Sequence, residues 1–82
     1  LLPESEVPDG LTGVHSPVPG NLWKYLCAPG DRVAAGATIA IVESMKMEIA
    51  VQAPVAGRLA QMRATPGRPL RAGDILAVME AD

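Results

Sequence analysis

Apolar residues fall in short, β-branched blocks along this chain, with turn residues every few positions. No block carries the three-to-four residue spacing of a helix face. Around Met47, Ile49 and Val51 the apolar positions alternate with Glu48, Ala50 and Gln52, which is the period of a strand with one buried face. Ile41-Val42 and Ile49-Ala50-Val51 read as two strands, and the polar-and-Met segment between them reads as their hairpin turn. Thr38 to Val42 is apolar on both parities, so the pattern does not assign its faces.

The pattern also repeats. Gly20 matches Gly57, an offset of 57 − 20 = 37. At the same offset Val14 matches Val51, Pro17 matches Pro54, Val18 matches Val55 and Leu22 matches Leu59. Pro29-Gly30 matches Pro66-Gly67, Ala35-Gly36 matches Ala72-Gly73, Ala40 matches Ala77 and Glu43 matches Glu80. Two half-domains follow, roughly 14–43 and 51–80, each with the order strand, Gly, strand, Pro-Gly turn, Ala-Gly turn, strand. The expected fold is all-β, two small packed sheets related by pseudo-two-fold symmetry, as a flattened barrel or a sandwich. Gly30, Gly36, Gly67 and Gly73 are expected at turns, where positive φ is accessible to them. Residues 44–50 alone separate the two copies, so the hairpin between them is expected to project from the end opposite both termini.

Length and composition narrow this further. A chain of 82 residues fits one domain. Residues 1–12, with Pro3, Pro8, Asp9 and Gly10 beside Glu4, Ser5 and Glu6, have linker composition, which leaves 13–82 as the folded body. The chain starts at Leu1 rather than Met, so it is read as part of a longer protein with an upstream domain. There is no Phe, one Trp and one Tyr, so the core must be aliphatic. A net charge of −2 offers no basic face for nucleic acid. No apolar run approaches the roughly 20 residues of a membrane span, and no signal peptide is visible. Cys27 is the single cysteine; it excludes an internal disulfide framework and a Cys-based zinc site, and it fits a reducing, cytoplasmic location.

Candidate chemistry centres on Glu43-Ser44-Met45-Lys46-Met47-Glu48. A lysine at a hairpin tip is an accessible amine on a stiff base. Schiff-base and general-base lysines are activated by burial or nearby positive charge, whereas the charges nearest Lys46 in sequence are carboxylates. Catalysis by this amine alone is therefore not expected, while acylation by a partner enzyme that supplies the base is. Met45 and Met47 are flexible and polarisable, suited to several partner surfaces. His15 stands without a ligand cluster, so no metal site is expected. Cys27 reads as a small strand-end hydrophobe, and no glycine pattern forms a phosphate loop. Arg58, Arg63, Arg68 and Arg71 read as a solvated face, with partner docking as the alternative.

The hexapeptide resembles the attachment motif of biotin carboxyl carrier domains, which usually read Ala-Met-Lys-Met, with Ser44 here in place of Ala. The resemblance covers about residues 13–80, including Pro17 to Gly20, Pro29-Gly30-Asp31, Ala53-Pro54-Val55-Ala56-Gly57 and Ala72-Gly73-Asp74. It implies two four-stranded antiparallel sheets and biotin joined by an amide to Lys46. It further implies loading by a biotin protein ligase and shuttling of a carboxyl group from a biotin carboxylase domain to a carboxyltransferase domain. The carrier itself then has no catalytic residues, and Glu43, Ser44, Met45, Met47 and Glu48 form the motif that the partners read. Ser16 to Lys24, with Trp23 at its centre, resembles the start of the carrier domain of urea carboxylases and urea amidolyases. Pyruvate or acyl-CoA carboxylases, a lipoyl carrier, an unmodified partner-binding hairpin module and a small enzyme are the competing readings.

Overall fold

A computed structural model describes residues 7–82. Residues 1–6 of the expected linker lie outside the described residues. Eight strands follow in order: β1 Thr12–His15, β2 Gly20–Tyr25, β3 Arg32–Val33, β4 Thr38–Ser44, β5 Met47–Gln52, β6 Gly57–Met62, β7 Pro69–Leu70 and β8 Ile75–Ala81. They form two four-stranded antiparallel sheets, ordered β1-β8-β6-β3 and β5-β4-β2-β7. The architecture is an open sandwich rather than a closed barrel, flattened to 34 × 29 × 17 Å.

The repeat is realised strand by strand. Adding 37 to the bounds of β2, β3 and β4 gives those of β6, β7 and β8. The two sheets are equivalent under this mapping, and each takes two strands from each half. Turn hydrogen bonds repeat as well. Ser16 N donates to Asp74 O and Ala53 N donates to Ala37 O, both at 2.8 Å. Gly67 N donates to Leu22 O and Gly30 N donates to Leu59 O, both at 2.7 Å. The core is built from the same pairs: Leu22 with Leu59, Ile39 with Leu76, Val42 with Met79, Val14 with Val51, all buried.

Bulges explain the strand whose faces the pattern left open. The β4–β5 register shifts between Thr38 and Ala40, so Ile39, Ala40 and Val42 all reach the core. A second bulge, between Leu22 and Lys24 in the β2–β4 pair, falls on Trp23. Gly30, Gly36, Gly67 and Gly73 have φ between 86° and 94°, as expected for turn glycines. Gly20 and Gly57 serve a different purpose. A Cβ on Gly20 would strike the Glu43 carbonyl oxygen, and one on Gly57 would strike that of Glu80, so each glycine admits a neighbouring main chain.

The topology separates the hairpin tip from the start of β1 and the end of β8. β4 runs from Thr38, opposite Gln52, to Ser44, opposite Met47. From Gln52 the four residues 53–56 lead to Gly57, opposite Ala81, and Thr12 lies opposite Met79. The ends of β1 and β8 therefore sit at the Thr38 end of β4, about 20 Å from the tip at 3.3 Å per residue.

Candidate functional site

The β4–β5 hairpin is paired further out than the sequence pattern indicated. Glu43 pairs with Glu48 and Ser44 pairs with Met47, so the strands extend through most of the polar segment and only Met45 and Lys46 form the turn. Their φ values are 51° and 66°. A two-residue loop with both centres at positive φ is the type I′ geometry, whose twist matches the flanking strands and which favours Asn-Gly. Met45 and Lys46 occupy it against that preference.

The tip stands clear of the core. Met45 is 92% exposed and Met47 62% exposed, although Met47 lies on the same strand face as the buried Val51. Lys46 is exposed. Among the described residues the ion pair is Arg32 with Asp82, at 2.6 Å, so no carboxylate holds the Lys46 ammonium. Glu43 and Glu48 face each other directly on the outer face, with Asn21 of β2 opposite Glu43 on its other side. Two like charges so placed repel.

Trp23 belongs to the same surface. It is 48% exposed at its bulge, and Lys24 Nζ lies 4.4 Å from its ring centroid. Asn21, Trp23, Glu43 and Gly67 line a shallow cleft of about 170 Å³. The structure thus brings the Trp23 segment and the Glu43 end of the hexapeptide together. At offset 37 the counterpart of Trp23 is Ala60, at the matching bulge of β6, so the fold does not itself require an aromatic there.

The other candidates are structural. His15 Nδ1 donates to Gly73 O at 2.9 Å, and no metal-ligand cluster occurs among the described residues. Cys27 packs against the core two residues past β2, and burial, with the Asp31 charge adding to it, pushes its thiol up. Sequence reasoning missed Tyr25. Its hydroxyl donates toward Ala64 O and Leu76 O, at 2.8 and 2.7 Å, and accepts from Ala64 N at 3.2 Å. It ties β2 of one sheet to β8 of the other. It also missed Gly20 as the support under Glu43, for which the repeated Gly at 57 was the available signal.

A two-sheet sandwich that presents one free amine on a two-residue hairpin, far from the start of β1 and the end of β8, has the form of a carrier domain. The family model described as biotin-requiring enzyme matches residues 6–79. The chain belongs to this biotin/lipoyl family, and it is a biotin carrier domain of the kind found in biotin-dependent carboxylases. A urea amidolyase of Saccharomyces cerevisiae is 36% identical over 50 residues, 61% of this chain and 3% of that protein. The mitochondrial acetyl-CoA carboxylase of the same organism is 50% identical over 42 residues, 51% of this chain and 2% of that protein. The crystal structure of the Kluyveromyces lactis urea carboxylase superposes with a TM-score of 0.83 at 36% identity, covering 90% of this chain and 6% of that one. The chain therefore spans a small fraction of the proteins it resembles. No helix among the described residues is long and apolar enough to cross a membrane.

Proposed function

We propose that Lys46 carries biotin through an amide at Nζ and that this domain shuttles a carboxyl group between two active sites of a multidomain carboxylase. The observation that carries this reading is the exposed, unpaired Lys46 at a two-residue tip between two exposed methionines. The residues fit the group: amide formation removes the ammonium charge, and no internal ion pair among the described residues is broken by it. When bound, biotin supplies the ring nitrogen that takes up and gives up the carboxyl group. The chain's own residues do the rest. β4 and β5 hold the amine away from the core, and Glu43, Ser44, Met45, Met47 and Glu48 present the surface that a biotin protein ligase and the biotin carboxylase and carboxyltransferase domains would read. Residues 13–82 form the carrier and the preceding residues its tether, which raises the effective concentration of cargo at the second site. A cytoplasmic location belongs to this reading, and the free thiol of Cys27 is compatible with a reducing compartment.

Urea is the carboxyl acceptor we assign, on the Trp23 segment and its placement beside Glu43. An acyl-CoA acceptor is the second reading, supported by the acetyl-CoA carboxylase likeness. Intact mass spectrometry after treatment with a biotin ligase is expected to show one added biotin on the wild type and none on Lys46→Ala or Lys46→Arg. An unmodified wild type refutes the assignment, and a lipoyl mass increment after parallel treatment with a lipoyl ligase replaces it. Carboxylation assays of the full-length protein with urea, pyruvate and acyl-CoA then identify the acceptor.

A further inference from the structure

We infer that the cleft between the β6–β7 loop and the start of β8 is an oxyanion-binding site, separate from the hairpin. The cleft has a volume of about 340 Å³. Arg63, Thr65, Arg68 and Asp74 supply its polar lining, and Leu70 and Ile75 part of its apolar wall. Of the arginines that the sequence suggested as a solvated face, the structure gathers Arg63 and Arg68 here.

Among the described residues, no carboxylate forms an ion pair with either guanidinium. Asp74 forms no ion pair with them, and its Oδ2 accepts from Arg71 N at 2.8 Å. Arg63 Nε is buried and has no hydrogen-bond partner among the described residues. A buried donor left unpaired is unfavourable, so the hydrogen-bonding capacity of this guanidinium is not spent within the described protein. Meanwhile the main chains that carry these side chains are fixed. Arg63 N donates to Leu76 O at 2.8 Å, Arg68 N donates to Thr65 O at 3.1 Å, and Arg68 O accepts from Leu22 N at 3.1 Å.

The repeat supplies an internal control. At offset 37 the positions of Arg63, Thr65, Arg68 and Asp74 are Leu26, Ala28, Asp31 and Ala37. None of these four twin residues is a cation, and the one cation among the twins of the whole lining, Arg32 at the position of Pro69, is ion-paired with Asp82. In that half Asp31 Oδ2 accepts from Ala28 N at 2.9 Å and closes its Pro-Gly loop. The second half holds a cation at that position instead, so the fold does not account for Arg68. Two guanidiniums against one engaged carboxylate favour a ligand with a planar or tetrahedral oxyanion head, a carboxylate or a phosphate, which guanidinium donors bind in pairs. The Thr65 hydroxyl adds a donor, and the apolar wall accepts a small organic body.

The test follows backbone amide resonances of this chain during titration with inorganic phosphate and, separately, sodium acetate, against sodium chloride at matched ionic strength. Saturable shifts confined to residues 63–68 and 74–75 are expected with at least one oxyanion and not with chloride. Arg63→Leu and Arg68→Asp, the residues of the twin cleft, are each expected to weaken binding about tenfold or more. Arg68→Gln, which keeps length without charge, serves if either fails to fold. Lys46→Ala is expected to bind as the wild type does, so failure here and failure of biotin attachment are read separately. Shifts that do not saturate, that chloride reproduces, or that persist unchanged in the arginine variants would overturn the proposal.

Discussion

Met45 and Lys46 hold positive φ without being glycine, which costs on the order of 1–3 kcal/mol at each position. Converting the pair to Asn-Gly, the sequence this turn prefers, is expected to stabilise the fold by about 1 kcal/mol or more. For a domain of this size that corresponds to a rise in Tm of roughly 4–8 °C, measured by thermal melting. An unchanged or lower Tm would mean that the turn is not strained. The same variant cannot be modified at Lys46, so stability and function separate at these two positions. The lysine itself was legible in the sequence, because few contexts place Met on both sides of it between two β-branched runs. The two-residue closure was not. Glu43, Ser44, Met47 and Glu48 look like turn residues by composition, and only the register imposed by the sandwich pairs them.

At the scale of elements, the strands are held where main chains come closest. Gly57→Ala is expected to lose about 2–3 kcal/mol in chemical denaturation, because its Cβ would meet the Glu80 carbonyl oxygen. Gly20→Ala is expected to match it and to shift the amides of Glu43 to Glu48 as well, because the carbonyl it strikes belongs to the hairpin base. Between the sheets the fastening is Tyr25, and Tyr25→Phe, which leaves its main-chain partners short of a bond, is expected to cost about 1–3 kcal/mol. Burial pushes the Tyr25 hydroxyl above its ordinary 10.0, although the Ala64 backbone bond pulls the other way. The folded chain then keeps this proton after the unfolded chain has lost it. That contribution is whole below pH 10 and disappears as pH rises through the raised value, so stability falls in this alkaline range. Cys27, raised from 9.0, adds to the fall from slightly lower pH. Denaturation midpoints measured from pH 8 to 12 check the slope, which Tyr25→Phe should reduce. The longer strands of each half and the turn glycines could be read from the sequence, because offset 37 marked both, whereas the two-residue β3 and β7 between the Pro-Gly and Ala-Gly turns could not. The faces of Thr38 to Val42 and the exposure of Trp23 could not, because bulges break the period-two rule at Ile39 and Trp23.

Across the whole molecule, neither half owns a sheet. Every sheet draws two strands from each half, and the core pairs Leu22 with Leu59 and Ile39 with Leu76 across them. Sequence similarity between the halves could reveal the duplication but not this exchange, since pairing partners lie far apart along the chain. Such a fold is the shape two half-length chains would adopt by trading strands, fused here through one short bridge. That bridge is Met45-Lys46, with β1 to β4 before it and β5 to β8 after it. Scission between these two residues is therefore expected to leave fragments that are each unstructured by circular dichroism yet reconstitute the β spectrum when mixed. The amine proposed to take cargo sits on the seam between the two halves, at a turn where the chain could be open without any strand being shortened.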